Sequence, residues 1–197
     1  MCGNNFTLYI HRATRFPIRE GVCVLTVQVV DGEISSGQCG HILFGPTQSQ
    51  QVTIQSIGLI DPYESLRDSI FQTLPLKIAN VPGNPPIKQF EGHFCVENPI
   101  GILEMTFEAV LELNKDYLPP DQNAFLSHVK GLPGRINLDG RSYPGIFLFD
   151  EKWKQEKRCH GTLKLLLDSQ FSLKVGDFFQ ITREGKEIGQ GVIIRET

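Results

Sequence analysis

This sequence of 197 residues contains no long run of apolar residues. A membrane-spanning helix needs about 20 such residues in a row, so the sequence predicts none. The amino terminus also lacks the apolar stretch of a secretory signal. The five cysteines are an odd number without a repeating spacing, which is not the pattern of a disulfide framework. We therefore expect reduced thiols and a cytoplasmic protein.

A nucleotide-binding loop is also missing. No segment matches G-x-x-x-x-G-K-[ST], so the backbone that cradles phosphates, its lysine and its Mg²⁺-binding hydroxyl are all absent. GTP hydrolysis by this polypeptide is excluded on that ground, and we expect a protein that is not an enzyme and has no cofactor. An excess of positive charge is absent as well. Lys and Arg number six against eight Asp and Glu before Asn98, and thirteen against fourteen from Asn98 onward. Only a local basic patch could therefore bind nucleic acid.

Helical periodicity is nearly absent, since only residues 61–74 have helical spacing. Nineteen glycines, twelve prolines and thirteen phenylalanines instead favour short strands joined by turns. Runs typical of strands occur at 6–10, 22–30, 39–44, 52–57, 76–79, 87–96, 105–113, 140–149, 160–165 and 178–194. The sequence therefore predicts an all-β fold.

The best linker candidate is Glu97-Asn98-Pro99-Ile100-Gly101, because Asn-Pro and Gly both interrupt regular structure. A chain of this length can bury two small cores. We therefore predict two domains, residues 1–97 and residues 98–197.

The clearest single motif lies near the carboxyl end, over residues 178–194. Apolar and polar side chains alternate, the pair Glu184-Gly185 turns the chain, and a second extended run follows, which is the pattern of a β-hairpin. Gly185 suits the turn because glycine takes positive φ without a steric cost. Gly189 and Gly191 lie two apart, so one face of the return strand lacks side chains there. Another backbone can approach at that face, or the strand can bulge.

This hairpin resembles the closing hairpin of domain 3 of bacterial elongation factor Tu and its relatives, whose signature reads roughly F-x-I-R-E-G-G-R-T-V-G-A-G-V. Seven residues fall in register without a gap: Phe179, Ile181, Gly185, Ile188, Gly189, Gly191 and Val192. Residues 20–38 resemble the opening strands of domain 2 in that family. Residues 105–116, 140–149 and 160–165 resemble strands of domain 3. The resemblance is strongest over residues 159–194.

The resemblance implies two consecutive β-barrels of the elongation factor Tu domain 2 and domain 3 type, without the GTPase domain. In the family these barrels bind the acceptor end and T arm of aminoacyl-tRNA. A non-catalytic protein that binds RNA, such as tRNA, or a translation-machinery protein is therefore implied. The alternative is a protein–protein adaptor or an inhibitor that mimics the factor's barrels.

Three departures from the family pattern bear on these expectations. Thr182 stands where the family has an arginine, and the family's G-G-R segment is replaced by a loop that begins at Tyr117. Both changes remove RNA-facing chemistry. The chain between Leu165 and Gly176 is also shorter than in the family, so one strand of the second barrel has no assigned counterpart.

Two groups of basic residues are candidates for phosphate contacts. The first surrounds the only tryptophan and consists of Lys152, Trp153, Lys154, Lys157 and Arg158. Cations beside a stacking aromatic ring are typical of RNA-binding loops. A solvated hairpin loop, with Glu151 and Glu156 partly cancelling the charge, would explain the same residues. The second group, which family position places near the acceptor end, consists of Arg12, Arg15 and Arg19.

Two pairs of cysteine and histidine are candidates for metal ligands. Cys39 and His41 lie two apart in one predicted strand, and His93 and Cys95 lie two apart in another. Each pair projects to one face of its strand. Neighbouring strands would then supply a Cys₂His₂ set for zinc, or a thiol beside a histidine for nucleophilic chemistry. Packing in a barrel core is the plainer explanation for buried cysteines.

Overall fold

The computed structural model of the chain describes residues 6–15, 21–45, 48–58, 74–79, 87–114, 131–150, 158–168 and 173–197. This part of the chain is all-β, with twelve strands and one 3-10 helix, Ile87–Phe90. The chain divides into two compact units, Met1–Gly101 and Ile102–Thr197. Each unit contains a closed barrel of six antiparallel strands. The prediction of an all-β chain with two consecutive barrels is therefore confirmed. No helix in the described ranges is long and apolar enough to cross a membrane.

The first barrel contains strands β1 to β6. Their bounds are β1 Phe6–Arg15, β2 Cys23–Gly32, β3 Cys39–Leu43, β4 Ser49–Ile57, β5 Leu74–Ala79 and β6 Phe94–Val96. Around the barrel the order is β1-β2-β5-β4-β3-β6, and β6 pairs with β1 to close it. The alternating apolar residues of these strands face inward and form a core that includes Phe6, Leu25, Ile54 and Ile78, to which the 3-10 helix adds Phe90. Alternate residues of a strand point to opposite faces, which is why this sequence pattern fills the barrel with side chains.

The second barrel contains strands β7 to β12. Their bounds are β7 Ile102–Leu113, β8 Gly131–Leu138, β9 Arg141–Phe149, β10 Arg158–Asp168, β11 Phe178–Arg183 and β12 Lys186–Glu196. The order around the barrel is β10-β7-β12-β11-β8-β9, with β9 pairing back to β10. Its largest fully buried side chains are Phe107, Phe147 and Phe179.

Strand β8 supplies the sixth strand that the sequence pattern did not reveal. Two glycines and a proline interrupt its apolar pattern, which is why it was not predicted. A Cβ at Gly131 would lie 2.9 Å from Ile146 Cδ1, and a Cβ at Gly134 would lie 2.7 Å from the Thr182 carbonyl oxygen. The glycines are therefore packing residues, because only they allow β9 and β11 to approach this closely.

Two other segments of the sequence prediction have different outcomes. The run at 87–96, expected as a closing strand, divides into the 3-10 helix and the three-residue β6. The helical spacing at 61–74 lies outside the described residues except for Leu74, which begins β5.

The closing hairpin has the structure that its sequence predicts. Glu184 and Gly185 have φ of 50° and 77° between β11 and β12, as a two-residue turn with both central φ angles positive requires. Ile181 pairs with Gly189, and a bulge follows at Ile181/Thr182. A Cβ at Gly189 would lie 2.7 Å from the carbonyl oxygen of Glu112 on β7. The glycines therefore allow the close backbone approach, and the strand also bulges.

Candidate functional site

A surface cavity of about 350 Å³ lies on the second barrel, between residues of β7, β9, β10 and β12. We call it the β9–β10 cavity. Its polar lining consists of Glu108, Asp150, His160 and Thr162, and its apolar lining includes Leu148 and Ile194. The main-chain N–H of Asp150 donates to the carbonyl oxygen of His160 at 3.0 Å, which holds the ends of β9 and β10 together at the cavity. Volumes of this size are typical of sites for small ligands or single groups of a larger ligand.

Two small residues on paired strands lie in the part of the barrel wall that lines the cavity. Gly161 on β10 lies opposite Ala109 on β7 and opposite Phe149 on β9. A Cβ at Gly161 would collide with the carbonyl oxygen of Leu148 and would lie 2.8 Å from two atoms of the Phe147 ring. The aromatic ring therefore occupies the space that a side chain on Gly161 would need.

Three glutamates along β7 each have a basic partner. Glu104 accepts a hydrogen bond from Lys164 Nζ at 3.1 Å, Glu108 pairs with Arg195, and Glu112 Oε2 lies 3.7 Å from Arg158 Nε. The first pair is largely buried, with side-chain exposures of 17% for Lys164 and 9% for Glu104, whereas the other two are exposed. The carboxylates of β7 therefore do not make this face strongly acidic.

We expect Glu104→Gln to destabilise the second barrel by about 2 kcal/mol, because it removes the carboxylate from a charge-assisted hydrogen bond that is mostly out of water. Glu112→Gln is the matched control, and its exposed pair should contribute less than about 0.5 kcal/mol. Urea unfolding followed by circular dichroism measures both free energies. Equal losses in the two variants would contradict the assignment of the Glu104–Lys164 pair as structural.

The basic residues expected to contact phosphate lie in different places. Arg158, at the start of β10, has 76% of its side chain exposed. Arg12 is an exposed residue of β1, and Arg15 is the last residue of that strand. The other members of the two groups, Lys152, Trp153, Lys154, Lys157 and Arg19, lie outside the described residues. Arg12 and Arg15 belong to the first unit and Arg158 to the second.

The four residues expected to bind zinc do not form one ligand set. Cys39 is exposed and His41 is half-buried, while Gly40 and Ile42 between and beside them are buried, so the pair does project to the outer face of β3. Cys95 is buried and pairs in register with Ile42. Its thiol would lie 2.7 Å from a Cβ at Gly40, which places it on the inner face. No group of three or more potential ligands occurs among the described residues, which include all four of these.

The His93 ring lies edge-on to Phe44, with ring centroids 5.4 Å apart. It is half-buried, and the main-chain carbonyl of His93 accepts a hydrogen bond from the N–H of Ile10 at 3.0 Å. The histidine therefore belongs to an aromatic packing cluster at the start of β6.

None of the described cysteines forms a disulfide, and most of them are buried: Cys23, Cys95 and Cys159 are buried and Cys39 is exposed. Burial raises the pKa of Cys23 to about 11 and that of Cys95 to about 12. A protonated thiol is a poor nucleophile and a poor metal ligand. These two cysteines therefore act as small apolar residues of the barrel core.

We expect a maleimide at pH 7.5 to label Cys39 in the folded protein and to leave Cys23 and Cys95 unlabelled. The buried thiols are both inaccessible and protonated, and they should react only after unfolding in denaturant. Peptide mapping by mass spectrometry measures the label at each site. Fast labelling of Cys95 in the folded state would show that the first barrel opens at β6.

Sequence reasoning missed most of the lining residues of the β9–β10 cavity, including Asp150 and Thr162. Thr162 was recognised only as part of residues 160–165, which resemble a strand of domain 3, and the predicted strand 140–149 ended before Asp150. The signal that joins them is the pairing of β9 with β10, in which Gly161 faces Phe149 and Thr162 faces Leu148.

No protein-family model matches the chain, and no curated protein matches it in sequence. The relationship to elongation factor Tu therefore stays a prediction that rests on the residues quoted above.

Proposed function

We propose that this chain is a non-catalytic, cytoplasmic RNA-binding protein of the translation machinery, similar in function to the barrels of elongation factor Tu. The sequence resemblance and the two consecutive closed barrels support this proposal. The described cysteines form no disulfide, which agrees with a reducing compartment.

One observation carries the RNA assignment: the predicted basic run lies, in sequence, between two residues that line the β9–β10 cavity, Asp150 and His160. Asp150 lines the cavity, and Arg158 begins β10 two residues before His160, which also lines it. The residues between them in sequence are Glu151-Lys152-Trp153-Lys154-Gln155-Glu156-Lys157. The chain therefore leaves the cavity at Asp150 and returns beside it at Arg158. In sequence, the basic run therefore connects the two strands whose ends line a hollow large enough for a base.

The lining of the cavity suits a nucleobase better than a phosphate. The Asp150 carboxylate repels phosphate but accepts hydrogen bonds from the amino groups of bases. The Glu108 carboxylate can also accept such bonds, while Arg195 compensates its charge. The Thr162 hydroxyl donates and accepts, and Leu148 offers an apolar wall. Phosphate contacts position a nucleic acid, and contacts to base edges give specificity. An unpaired base in the cavity with its flanking phosphates on the basic run satisfies both requirements.

The burial of the thiols supports a non-catalytic role. Cys23 and Cys95 have pKa values raised to about 11 and about 12 by burial, so neither carries a nucleophilic thiolate at neutral pH. Side chains fill the first barrel's interior, where Phe6, Phe90 and Ile54 are fully buried. Binding at the surface is the function that this arrangement supports.

A protein–protein adaptor is the second candidate, and a different observation favours it. Phe178 and Val175, close in sequence at the start of β11, have 79% and 67% of their surface exposed, and Ile194 on β12 has 39% exposed. The N–H of Ile193 donates to the carbonyl oxygen of Asp177 at 3.0 Å, which brings the two segments together. Exposed apolar side chains in one area are typical of protein interaction sites.

A pull-down from cell lysate with the whole chain as bait, run with and without nuclease, tests the proposal. If RNA binding is correct, tRNA or ribosomal RNA is retained, and nuclease removes it together with any associated protein. Retention of one protein regardless of nuclease, lost in the variant Phe178→Ser, would favour the adaptor and contradict the RNA assignment.

A further inference from the structure

A second hollow lies on the first barrel, and its lining carries amides and an aromatic ring. It has a volume of about 620 Å³ and is lined by Phe44, Gln48, Ser49, Gln50, Gln51 and Gln89. We call it the glutamine hollow. Most of the lining comes from the β3–β4 hairpin, where the N–H of Phe44 donates to the carbonyl oxygen of Gln48 at 2.8 Å. Gln89 comes from the 3-10 helix.

The amide of Gln50 is the first sign of a ligand. Its Nε2 atom is buried and has no hydrogen-bond partner in the described part of the protein. A buried donor without an acceptor is destabilising, and native structures contain few of them. Rotation of the Gln50 side chain into the hollow therefore breaks no hydrogen bond made by Nε2. An acceptor placed in the hollow would satisfy this donor.

Two other rings pack against the aromatic ring of Phe44. Its centroid lies 5.9 Å from that of Phe90, which is fully buried, and the ring of His93 contacts it edge-on. Phe44 is itself only partly buried and lines the hollow. It therefore presents a fixed apolar surface beside the row of glutamine amides.

The spacing of the glutamines matches an extended polypeptide. Gln48 and Gln50 are two residues apart at the start of β4, and residues at this spacing in a strand lie about 7 Å apart on one face. An extended peptide repeats its same-side carbonyl groups with the same period. Each glutamine amide carries an acceptor and two donors, so it can pair with the C=O and the N–H of a peptide unit.

Charge decides between a peptide and a nucleic acid. No Lys, Arg, His, Asp or Glu residue lines the hollow among the residues that the structure describes. Every nucleotide brings a phosphate, which needs a cation nearby, whereas an uncharged peptide needs none. We propose that the glutamine hollow binds a short, uncharged, extended polypeptide segment of a partner protein. This site is separate from the RNA site proposed on the second barrel and does not depend on it.

The test measures binding of fluorescent, end-capped octapeptides to the full chain by fluorescence anisotropy. One set contains only uncharged residues, and a matched set carries lysine or glutamate at alternate positions. Gln50→Leu removes the amide at nearly constant size. Gln55→Leu is the matched control, because Gln55 is an exposed residue of the same strand that does not line the hollow.

We expect members of the uncharged set to bind, with affinity about tenfold lower in Gln50→Leu and unchanged in Gln55→Leu, because about one hydrogen bond is lost. The melting temperature of Gln50→Leu should equal or exceed that of the wild type, since an unsatisfied donor is removed. RNA binding should be the same in both variants. The proposal is overturned if no uncharged peptide binds, if the two variants bind alike, or if Gln50→Leu loses binding together with several degrees of melting temperature. Oligonucleotide binding that depends on Gln50 would also overturn it.

Discussion

Gly191→Ala should be among the most destabilising single-methyl additions in the second barrel. A Cβ at this position would collide with the carbonyl oxygen of Val110 on β7 and with the ring of Phe179 on β11. The Val110 carbonyl belongs to the main chain of β7, which pairs with β12, and the Phe179 side chain is only 1% exposed. Neither group can move without displacing the core. Overpacking of this kind costs about 3 kcal/mol. For a domain of this size we expect the melting temperature to fall by about 12 to 24 °C.

Gly185→Ala in the turn of the same hairpin is the control. A Cβ there meets nothing within 4 Å, but the residue has φ of 77°. The expected cost is therefore about 1 kcal/mol, from backbone conformation alone. Differential scanning calorimetry of both variants measures the difference. If Gly191→Ala were as stable as Gly185→Ala, the close approach of β7 and β12 at Gly191 would be contradicted.

The second large effect concerns RNA affinity. We expect the triple variant Lys152→Ala, Lys154→Ala, Arg158→Ala to bind tRNA about 100-fold more weakly at 50 mM salt. Three charge-assisted contacts at about 1 kcal/mol each account for this loss. The dependence of log K on log salt concentration should also become shallower by about 2 to 3. Filter binding over a salt series measures both quantities.

The matched control removes the same charge elsewhere on the second barrel. Arg141, Lys174 and Lys186 are exposed and do not line the β9–β10 cavity. Their combined replacement by alanine should leave tRNA affinity within about threefold of the wild type. Equal losses in the two triple variants would mean that RNA responds only to net charge, and the assignment of the basic run would then be wrong.

Alternation of apolar and polar residues can be read directly, and it was sufficient to predict an all-β chain, while the arrangement in two barrels was predicted by the resemblance to elongation factor Tu. The sequence was also sufficient for the closing hairpin, where Gly185 suits a turn with positive φ, and where Gly189 and Gly191 allow either a close backbone neighbour or a bulge. It failed at β8, where Gly131 and Gly134 interrupt the alternation. Gly131 packs against β9, and Gly134 packs against β11, which is distant in sequence. A local pattern does not show these contacts.

Cys95 and His41 show why the candidate sites were harder to predict than the fold. Alternation correctly placed Cys39 and His41 on one face of β3. Whether Cys95 joins them depends on the register between β3 and β6, and a shift of one residue reverses the face. The structure pairs Cys95 with Ile42, so its thiol faces the core. Register between strands distant in sequence is set by the packing of the whole barrel.

The β9–β10 cavity depends on register in the same way. Its residues come from four strands, and the two smallest, Ala109 and Gly161, come together only because β7 pairs with β10. The sequence could identify the basic run that adjoins the cavity, because consecutive residues form it. It could not identify the cavity, because the cavity depends on which strands pair in the closed barrel.

The most direct test of the proposed function is the equilibrium titration of fluorescently labelled tRNA with the full chain between 50 and 200 mM salt. An RNA-binding protein that uses Arg158 and the adjoining basic run should bind at 50 mM and weaken steadily, with a slope of log K against log salt of about −2 or steeper. Absence of binding at 50 mM, or an affinity that does not change with salt, would contradict the proposal.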